Sequence, residues 1–431
     1  MYVFVFPYSM ILSSFEKNYI VEIIQLTFNV ITFILELFFI LYLKLDYLVI
    51  LIIPILSAII QSLVLKKIIK IKLKLQLKDS LIDHEPDLTP SKMTKDILIH
   101  QVSSLIFLNT DNIIISSRLG LFSVTQYSSY NQTISYPSQF TDKILFGMKS
   151  TIGILINKNI EEAKQYIKNM LVLVSFLTTI FVTIFILKIN NFITIWIGEE
   201  YLLDEISVFL FALILIDRII TPLINISRDN RGLFKESKGY TLIQAILNVV
   251  LSLTLAIFIG INGILLGTVI SIIVISIPMN ILIIERKVYN EKLGVFRLYL
   301  IPIAVSLLVQ LLFSFLSISS FDITNLWIKF ILETSIFTVT TVIISLFVYY
   351  ILGYNILKIG IGLFSKKVMQ DNFKNIENKE ISSISDFQKL IILFTICFIT
   401  LDLYLNKYYR NLSLKNLSFI LVASGIVYFS I

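Results

Sequence analysis

Long apolar stretches alternate with short polar connections along most of the chain. Several of these stretches run for about 20 residues with almost no charge, the length that a helix needs to cross a hydrocarbon core of about 30 Å. The pattern predicts an all-α, polytopic membrane protein with about twelve transmembrane helices. The predicted spans are 20–42, 47–65, 98–116, 122–146, 170–187, 206–226, 240–259, 263–284, 298–318, 328–352, 390–405 and 414–431.

The composition supports this class and excludes others. Hydrophobic residues make up 56% of the chain and charged residues 15%, and the mean hydropathy is +0.86. A soluble enzyme has to cover its surface with polar groups, so a content this apolar excludes one. The partner that the composition predicts is the lipid bilayer.

The positive charges lie in the predicted loops, and their distribution predicts an orientation. If the loop 66–95 is cytoplasmic, strict alternation places about 28 of the 36 Lys and Arg on that side and about 7 outside. The net charge of +7 is thereby explained by topology and by attraction to anionic lipid, so no nucleic acid is expected as a partner.

Cysteine, histidine and nucleotide motifs are scarce. The only cysteine is Cys397 and the histidines are His84 and His100, which argues against disulfides, Cys-rich metal sites and a histidine-based catalytic triad. The chain has no GxxxxGK[ST] motif, so ATP is not expected as the direct energy source. We expect no cofactor, no metal site and no catalytic residues.

A series of short motifs carries a family resemblance. They are SSFEKNY at 13–19, NTDNIIIS at 109–116, LG at 119–120, YSSY at 127–130, WIGEEY at 196–201, RGLFK at 231–235, NVVLS at 248–252 and GING at 260–263, followed by Gly267, Thr268 and Ser271. In this order and spacing they resemble the polysaccharide (Wzx-type) flippases of the multidrug/oligosaccharidyl-lipid/polysaccharide exporter superfamily. The resemblance covers roughly residues 13–350.

The resemblance implies a fold and a function. The fold would be two helical lobes in an inverted V around a cavity that opens alternately to each side of the bacterial cytoplasmic (inner) membrane. The cargo would be an undecaprenyl-diphosphate-linked oligosaccharide, moved outward for capsule or O-antigen biosynthesis together with other polysaccharide-assembly proteins. A proton or a sodium ion would drive the cycle.

The same comparison implies that about three helices of the first lobe are missing before Met1. Residues 1–95 would then be the remainder of the N-terminal lobe and a cytoplasmic linker. Residues 96–290 would form the core of the C-terminal lobe, and 291–431 its peripheral helices. A truncated, non-transporting remnant is accordingly one alternative.

Ionisable side chains within the spans are the first candidate site residues, because each costs about 2.5–3.5 kcal/mol on insertion scales and tends to face a cavity or a partner. Asp111 shares a helical stripe with Gln101 and Ser104. It either faces the cavity, pairs across helices or reaches the end of its helix. Asp217 and Arg218 either neutralise each other or serve the cargo, since a guanidinium can bind a diphosphate through two hydrogen bonds.

Further candidates are amides, tyrosines and terminal arginines. One predicted helix carries a polar stripe with Tyr127, Tyr130 and Asn131, which either contact sugar or join helices. Two further candidate cavity residues, next to Asp111 and on the face of Arg218, are Asn112 and Asn225. Arg118 and Arg228 are candidate gate residues or interface anchors. The carboxylates Glu22, Glu36, Glu333 and Asp402 have no partner that the sequence reveals, and Gly263 with Gly267 predicts close helix packing.

Two other functions remain open. A multidrug or lipid II exporter of the same superfamily would have the same fold and a different cavity. A membrane-embedded polysaccharide polymerase or glycosyltransferase would be an enzyme, but such enzymes generally have a large outer loop with paired charged residues. The longest predicted outer loop here, 188–204, offers only Glu199, Glu200 and Asp204 near Trp196. A transporter is therefore the leading hypothesis.

Overall fold

The computed structural model describes residues 18–43, 50, 52–73, 89–316 and 325–364, and the regular elements in these ranges are all helices. The described residues divide into two compact units. The first contains α1 (Asn18–Phe38), which continues as a π-helical turn at Phe39–Leu43, and α2 (Ile52–Leu73). These two helices pack together, and the Thr32 hydroxyl donates a hydrogen bond of 2.6 Å to Ser57 across their interface.

The second unit contains nine helices among its described residues. They are α3 (Thr89–Arg118), α4 (Leu121–Lys158), α5 (Ile160–Trp196), α6 (Glu205–Asn230), α7 (Phe234–Ser271), α8 (Ile277–Leu282), α9 (Val295–Leu316), α10 (Leu326–Ile351) and α11 (Ile356–Phe364). Two π-helical turns, Ile272–Ser276 and Ile283–Val288, flank α8. Helix α5 lies at the centre, in contact with α4, α6, α9, α10 and α11, while α3 packs most extensively on α7.

The helices agree with the predicted apolar segments. Each of the first ten predicted spans overlaps described helical residues, whereas 390–405 and 414–431 lie outside the described residues. Among the described residues, six helical stretches are long and apolar enough to cross a membrane. These are Ile52–Ile69, Ile160–Trp196, Glu205–Asn230, Phe234–Val288, Val295–Ser314 and Leu326–Ile351. The described part of the chain is thus all-helical and typical of a multi-pass membrane protein, and the total of twelve spans stays a prediction.

Several helices are longer than the predicted spans. Residues 147–169, which the sequence analysis places between two spans, are helical except for Asn159. The Asn159 side chain accepts hydrogen bonds from the backbone N–H groups of Glu161 and Glu162 and donates one to the Glu162 carboxylate. Asn159 therefore caps the N-terminus of α5 with its side chain, so that α5 begins one residue after α4 ends.

Helix α7 consists of two segments that fold back on each other. Its helical geometry breaks at Ile259 and at Gly260, where φ is +59°, a value that glycine adopts without strain. Asn248 donates to Thr268 and Ser252 donates to the Ile264 carbonyl, so residues 234–258 and 261–271 run antiparallel. The break lies between the predicted spans 240–259 and 263–284.

Gly263 and Gly267 allow these two segments to approach closely, as the sequence predicts. A Cβ atom on Gly267 would lie 2.7 Å from the backbone nitrogen of Ser252, and one on Gly263 would overlap the Leu255 carbonyl. Backbone atoms cannot move aside as the end of a side chain can. The glycine pair is therefore a requirement of the hairpin.

A buried ion pair joins α5 to α10. Lys188 Nζ lies 2.7 Å from Glu333 Oε2, their side chains are 9% and 15% exposed, and the ammonium also lies over the ring of Phe337. The sequence alone reveals no partner for Glu333, and the structure provides one in Lys188. The partner is 145 residues away in the chain, a separation that local spacing cannot reveal.

We expect Gly267→Ala to destabilise the protein by about 1–3 kcal/mol, because the new methyl group overlaps backbone. The apparent Tm of the purified protein in detergent measures the loss. Gly239→Ala is the matched control on the same helix, since a Cβ atom there meets nothing within 4 Å. Equal melting temperatures for the two variants would contradict close packing at Gly267.

Removal of one member of the Lys188–Glu333 pair leaves the other charge buried, so Lys188→Met should destabilise the protein by about 3 kcal/mol. Adding Glu333→Gln should restore most of that loss. Thermal unfolding in detergent is again the measurement. Lys164→Met is the control, because its partners Glu161 and Glu291 are exposed, and ion pairs at the surface contribute little to stability. A double variant less stable than Lys188→Met would refute the pairing.

Candidate functional site

A chain of hydrogen bonds surrounds Asp111, which is 3% exposed. Tyr127 on α4 donates a bond of 2.9 Å to Asp111 Oδ2, and Thr268 on α7 donates one of 3.1 Å to the same atom. Asn248 in turn donates to the Thr268 hydroxyl at 2.8 Å. Asp111 Oδ1 has no hydrogen-bond partner among the described residues. One carboxylate oxygen is thus held by side chains of two other helices, while the other remains able to bind a proton or a cation.

Arg218 lies close to this chain on α6. Its Nη1 donates a bond of 3.2 Å to the Ser135 hydroxyl of α4, and its charge interacts with Asp111, Asp217 and Tyr127. Within the described part of the chain it forms no ion pair shorter than 4.0 Å. The guanidinium therefore keeps most of its hydrogen-bonding capacity for a ligand.

Asp217, the neighbour of Arg218, is directed elsewhere. Its carboxylate accepts a bond of 2.7 Å from Thr221 on the same helix, and the Thr221 hydroxyl lies 3.0 Å from that of Tyr299 on α9. Asp217 is buried and joins α6 to α9 through Thr221. The two charges interact, but the direct neutralising contact considered in the sequence analysis does not form.

Three candidate amides lie half-buried on the helices that carry the charges. Asn112 is on α3, Asn131 on α4 and Asn225 on α6, and the Oδ1 atom of each is buried without a hydrogen-bond partner in the described ranges. An acceptor left in this way costs about 1–3 kcal/mol. A ligand that supplies hydroxyl donors would recover that energy.

Tyr130 packs in the interior of the helical bundle. It is fully buried, its ring stacks on Phe211, and its hydroxyl donates 2.7 Å to Asn190 while accepting 3.0 Å from the Leu203 N–H. This geometry matches the alternative in which a polar side chain joins helices. Tyr127 also packs on Phe211, but its hydroxyl belongs to the Asp111 chain.

The segment before α6 is fixed to the α7 hairpin outside the spans. The Asp204 carboxylate accepts bonds from the Ser207 N–H at 2.9 Å and from Asn262 at 2.6 Å. Burial alone would raise the pKa of Asp204, but these hydrogen bonds outweigh it and hold the pKa below its usual value. The carboxylate therefore stays ionised and caps α6.

The two candidate gate arginines have opposite environments. Arg118 is exposed at the C-terminal end of α3. Arg228, near the C-terminal end of α6, is 3% exposed. Its guanidinium donates hydrogen bonds to Asp229 at 3.0 and 2.7 Å and to Tyr240 at 3.4 Å. It also contacts His100 at 3.3 Å. Arg228 therefore joins helices, while Arg118 lies at the surface.

Sequence reasoning missed an exposed polar face on α4. At 100° per residue, the side chains that form it fall within about 40° of one line along the helix. They are Thr125, Ser128, Gln132, Tyr136, Gln139 and Lys143, all exposed or half-buried. A polar face of this length is costly against lipid. Ser135, which binds Arg218, borders it, so the exposed face leads to the charged site.

The signal for this face was present in the sequence, because polar residues recur at steps of three and four over five turns. The predicted site residues Tyr127 and Tyr130 lie on a different polar stripe of the same helix, and the structure buries that stripe. Periodicity alone does not tell which of two polar faces on one helix packs against neighbours.

Comparison of the chain with protein-family models, with curated proteins and with solved structures finds no match in any of the three.

Proposed function

We propose that the protein is a transporter of the bacterial cytoplasmic membrane that flips an undecaprenyl-diphosphate-linked oligosaccharide outward for surface polysaccharide biosynthesis. The proposal includes twelve spans in two lobes, an inverted-V shape and alternating access. It is supported by the motif resemblance over residues 13–350, by the six apolar helices, and by a cluster of charged and polar side chains within the second unit.

Arg218 is the observation that carries the proposal. A guanidinium inside an apolar helix is costly unless a partner or water neutralises it, yet Arg218 has one hydroxyl contact and no ion pair in the described residues. A diphosphate supplies two adjacent anionic groups whose oxygens match the planar donors of arginine. The charge is thus retained where an anionic headgroup would use it.

The polar face of α4 fits the carbohydrate part of the same cargo. Gln132 and Gln139 offer amide donors and acceptors, and Tyr136 adds a ring that can pack on a sugar. This face reaches Arg218 through Ser135. The cargo would then contact Arg218 with its diphosphate and α4 with its glycan, while its polyprenyl chain stays in lipid.

Asp111 is the coupling group in this proposal. Its Oδ1 atom has no partner in the described residues, so a proton or a sodium ion can bind there. Binding would neutralise the carboxylate and change its interaction with the Arg218 charge. The ion gradient and the anionic cargo would in this way act on the same cluster.

Arg218→Ala should reduce surface polymer on the order of tenfold or more, since it removes charge-assisted hydrogen bonds to the diphosphate. Arg218→Lys should give an intermediate level. Polymer is measured in a strain that lacks the chromosomal gene, with membrane levels matched by immunoblot. Arg231→Ala, at the exposed turn after α6, should leave it unchanged.

Normal polymer with Arg218→Ala would remove this residue from the mechanism. Normal polymer after deletion of the gene, combined with loss of drug efflux, would instead favour a multidrug exporter.

Asp111→Asn should also lower surface polymer by about tenfold or more, because the amide preserves the bonds from Tyr127 and Thr268 but cannot bind a proton or neutralise a cation. Asp111→Glu should retain part of the activity. The measurement is polymer export at matched membrane levels, with and without a protonophore or a sodium ionophore. Full export by Asp111→Asn that stays sensitive to an ionophore would show that another group couples the gradient.

A further inference from the structure

Hydrogen bonds assign the protonation state of His100, a residue of α3 that is 7% exposed. Its Nε2 atom lies 3.3 Å from Arg228 Nη2, and a guanidinium can only donate, so Nε2 must carry its lone pair. Its Nδ1 atom lies 3.3 Å from the Thr241 hydroxyl oxygen. That hydroxyl donates to the backbone carbonyls of Ser237 and Lys238 at 3.1 Å, which leaves the oxygen to accept from Nδ1–H. The imidazole is therefore neutral.

This contact belongs to a group of side chains that joins four helices, the Arg228 cluster: His100, Arg228, Asp229, Tyr240 and Asn280. Arg228 binds Asp229 and Tyr240, and Tyr240 donates 2.8 Å to Asn280 on α8. All but Asp229 are buried. The cluster thus fixes the N-terminal half of α3 to α6, α7 and α8.

We propose that His100 is a proton-binding switch that releases the N-terminal half of α3 from α6 and α7. A proton added to the Nε2 lone pair makes that atom a donor facing another donor, so the bond to Arg228 is lost. It also places two positive charges about 3.3 Å apart in a buried setting, where screening is weak. The contact that holds the helices together becomes a repulsive one.

The other charged groups around His100 do not replace this contact. From α6, Asp229 attracts the added proton, but its Oδ1 atom already accepts two hydrogen bonds from Arg228. From α7, Tyr240 is bonded to Arg228 and Asn280, and Lys238 is paired with Asp96 one turn before His100. From α4, the charged side chains of Asp142 and Lys143 are exposed.

The position of the Arg228 cluster indicates which part of the protein the switch controls. His100 follows the basic loop 66–95, which the charge distribution places in the cytoplasm, and the Arg228 end of α6 lies on the same predicted side. Protonation would loosen this end of α3, the helix that also carries Asp111. The inference concerns the position of α3 and holds whatever the cargo is.

Distance measurement between two spin labels tests the switch. The labels are placed on Leu98→Cys of α3 and Lys235→Cys of α7, both exposed in the structure, after Cys397→Ser has removed the native cysteine. In lipid nanodiscs, a change from pH 8 to pH 5 should change the populations of the two label-to-label distances. The ratio of molecules with the longer distance to molecules with the shorter one should rise by about tenfold. His100→Gln, whose amide oxygen still accepts from Arg228, should keep the pH 8 distribution at both values.

Two further variants complete the design. His100→Lys carries a fixed charge and should show the acid distribution at both pH values; Asp96→Asn, one turn away on α3, should keep the pH response. The proposal is overturned if the parent protein shows no pH response, or if His100→Gln responds as the parent does. Loss of surface polymer is not read in this experiment, so its result is independent of the flippase proposal.

Discussion

A charged side chain among apolar helices must either meet an opposite charge, exchange hydrogen bonds or reach water, because lipid and hydrocarbon side chains provide none of these. Most of the buried charges in the described residues meet that condition. Lys188 pairs with Glu333, Arg228 binds Asp229 and Tyr240, and Asp217 accepts from Thr221. The Lys188–Glu333 and Arg228–Tyr240 contacts also join different helices.

In the second unit, Arg218 and the Oδ1 atom of Asp111 do not meet this condition, and in the first unit the buried Oε1 atom of Glu36 also has no partner among the described residues. Arg218 and Asp111 lie in the same region of the second unit, where several amide oxygens also lack donors. Unsatisfied polar groups in one place cost stability, so a protein retains them where another molecule satisfies them. Charge alone does not distinguish the candidate functional site from helix packing here. The candidate site is the place where polar contacts are incomplete.

The sequence predicted the helices well and their contacts poorly. Apolar segments bounded by polar residues located ten helical segments, two of which are the arms of α7, and Gly263 with Gly267 indicated close helix packing. These features depend on neighbours within a few turns. The Lys188–Glu333 and His100–Arg228 contacts join residues more than a hundred positions apart, and one sequence contains no measure of such distances. For the same reason the buried and exposed polar faces of α4 could not be told apart.

The hairpin of α7 gives the Asp111 chain an unusual mechanical property. Because backbone meets backbone along the glycine pair, its two arms cannot slide past each other and must tilt together as a single rigid block. Asn248 belongs to one arm and Thr268 to the other, and both are linked to Asp111. We therefore expect a shift of that carboxylate to move both arms together, and the hydrogen bond from Asn262 to Asp204 links the far tip of the hairpin to the segment before α6.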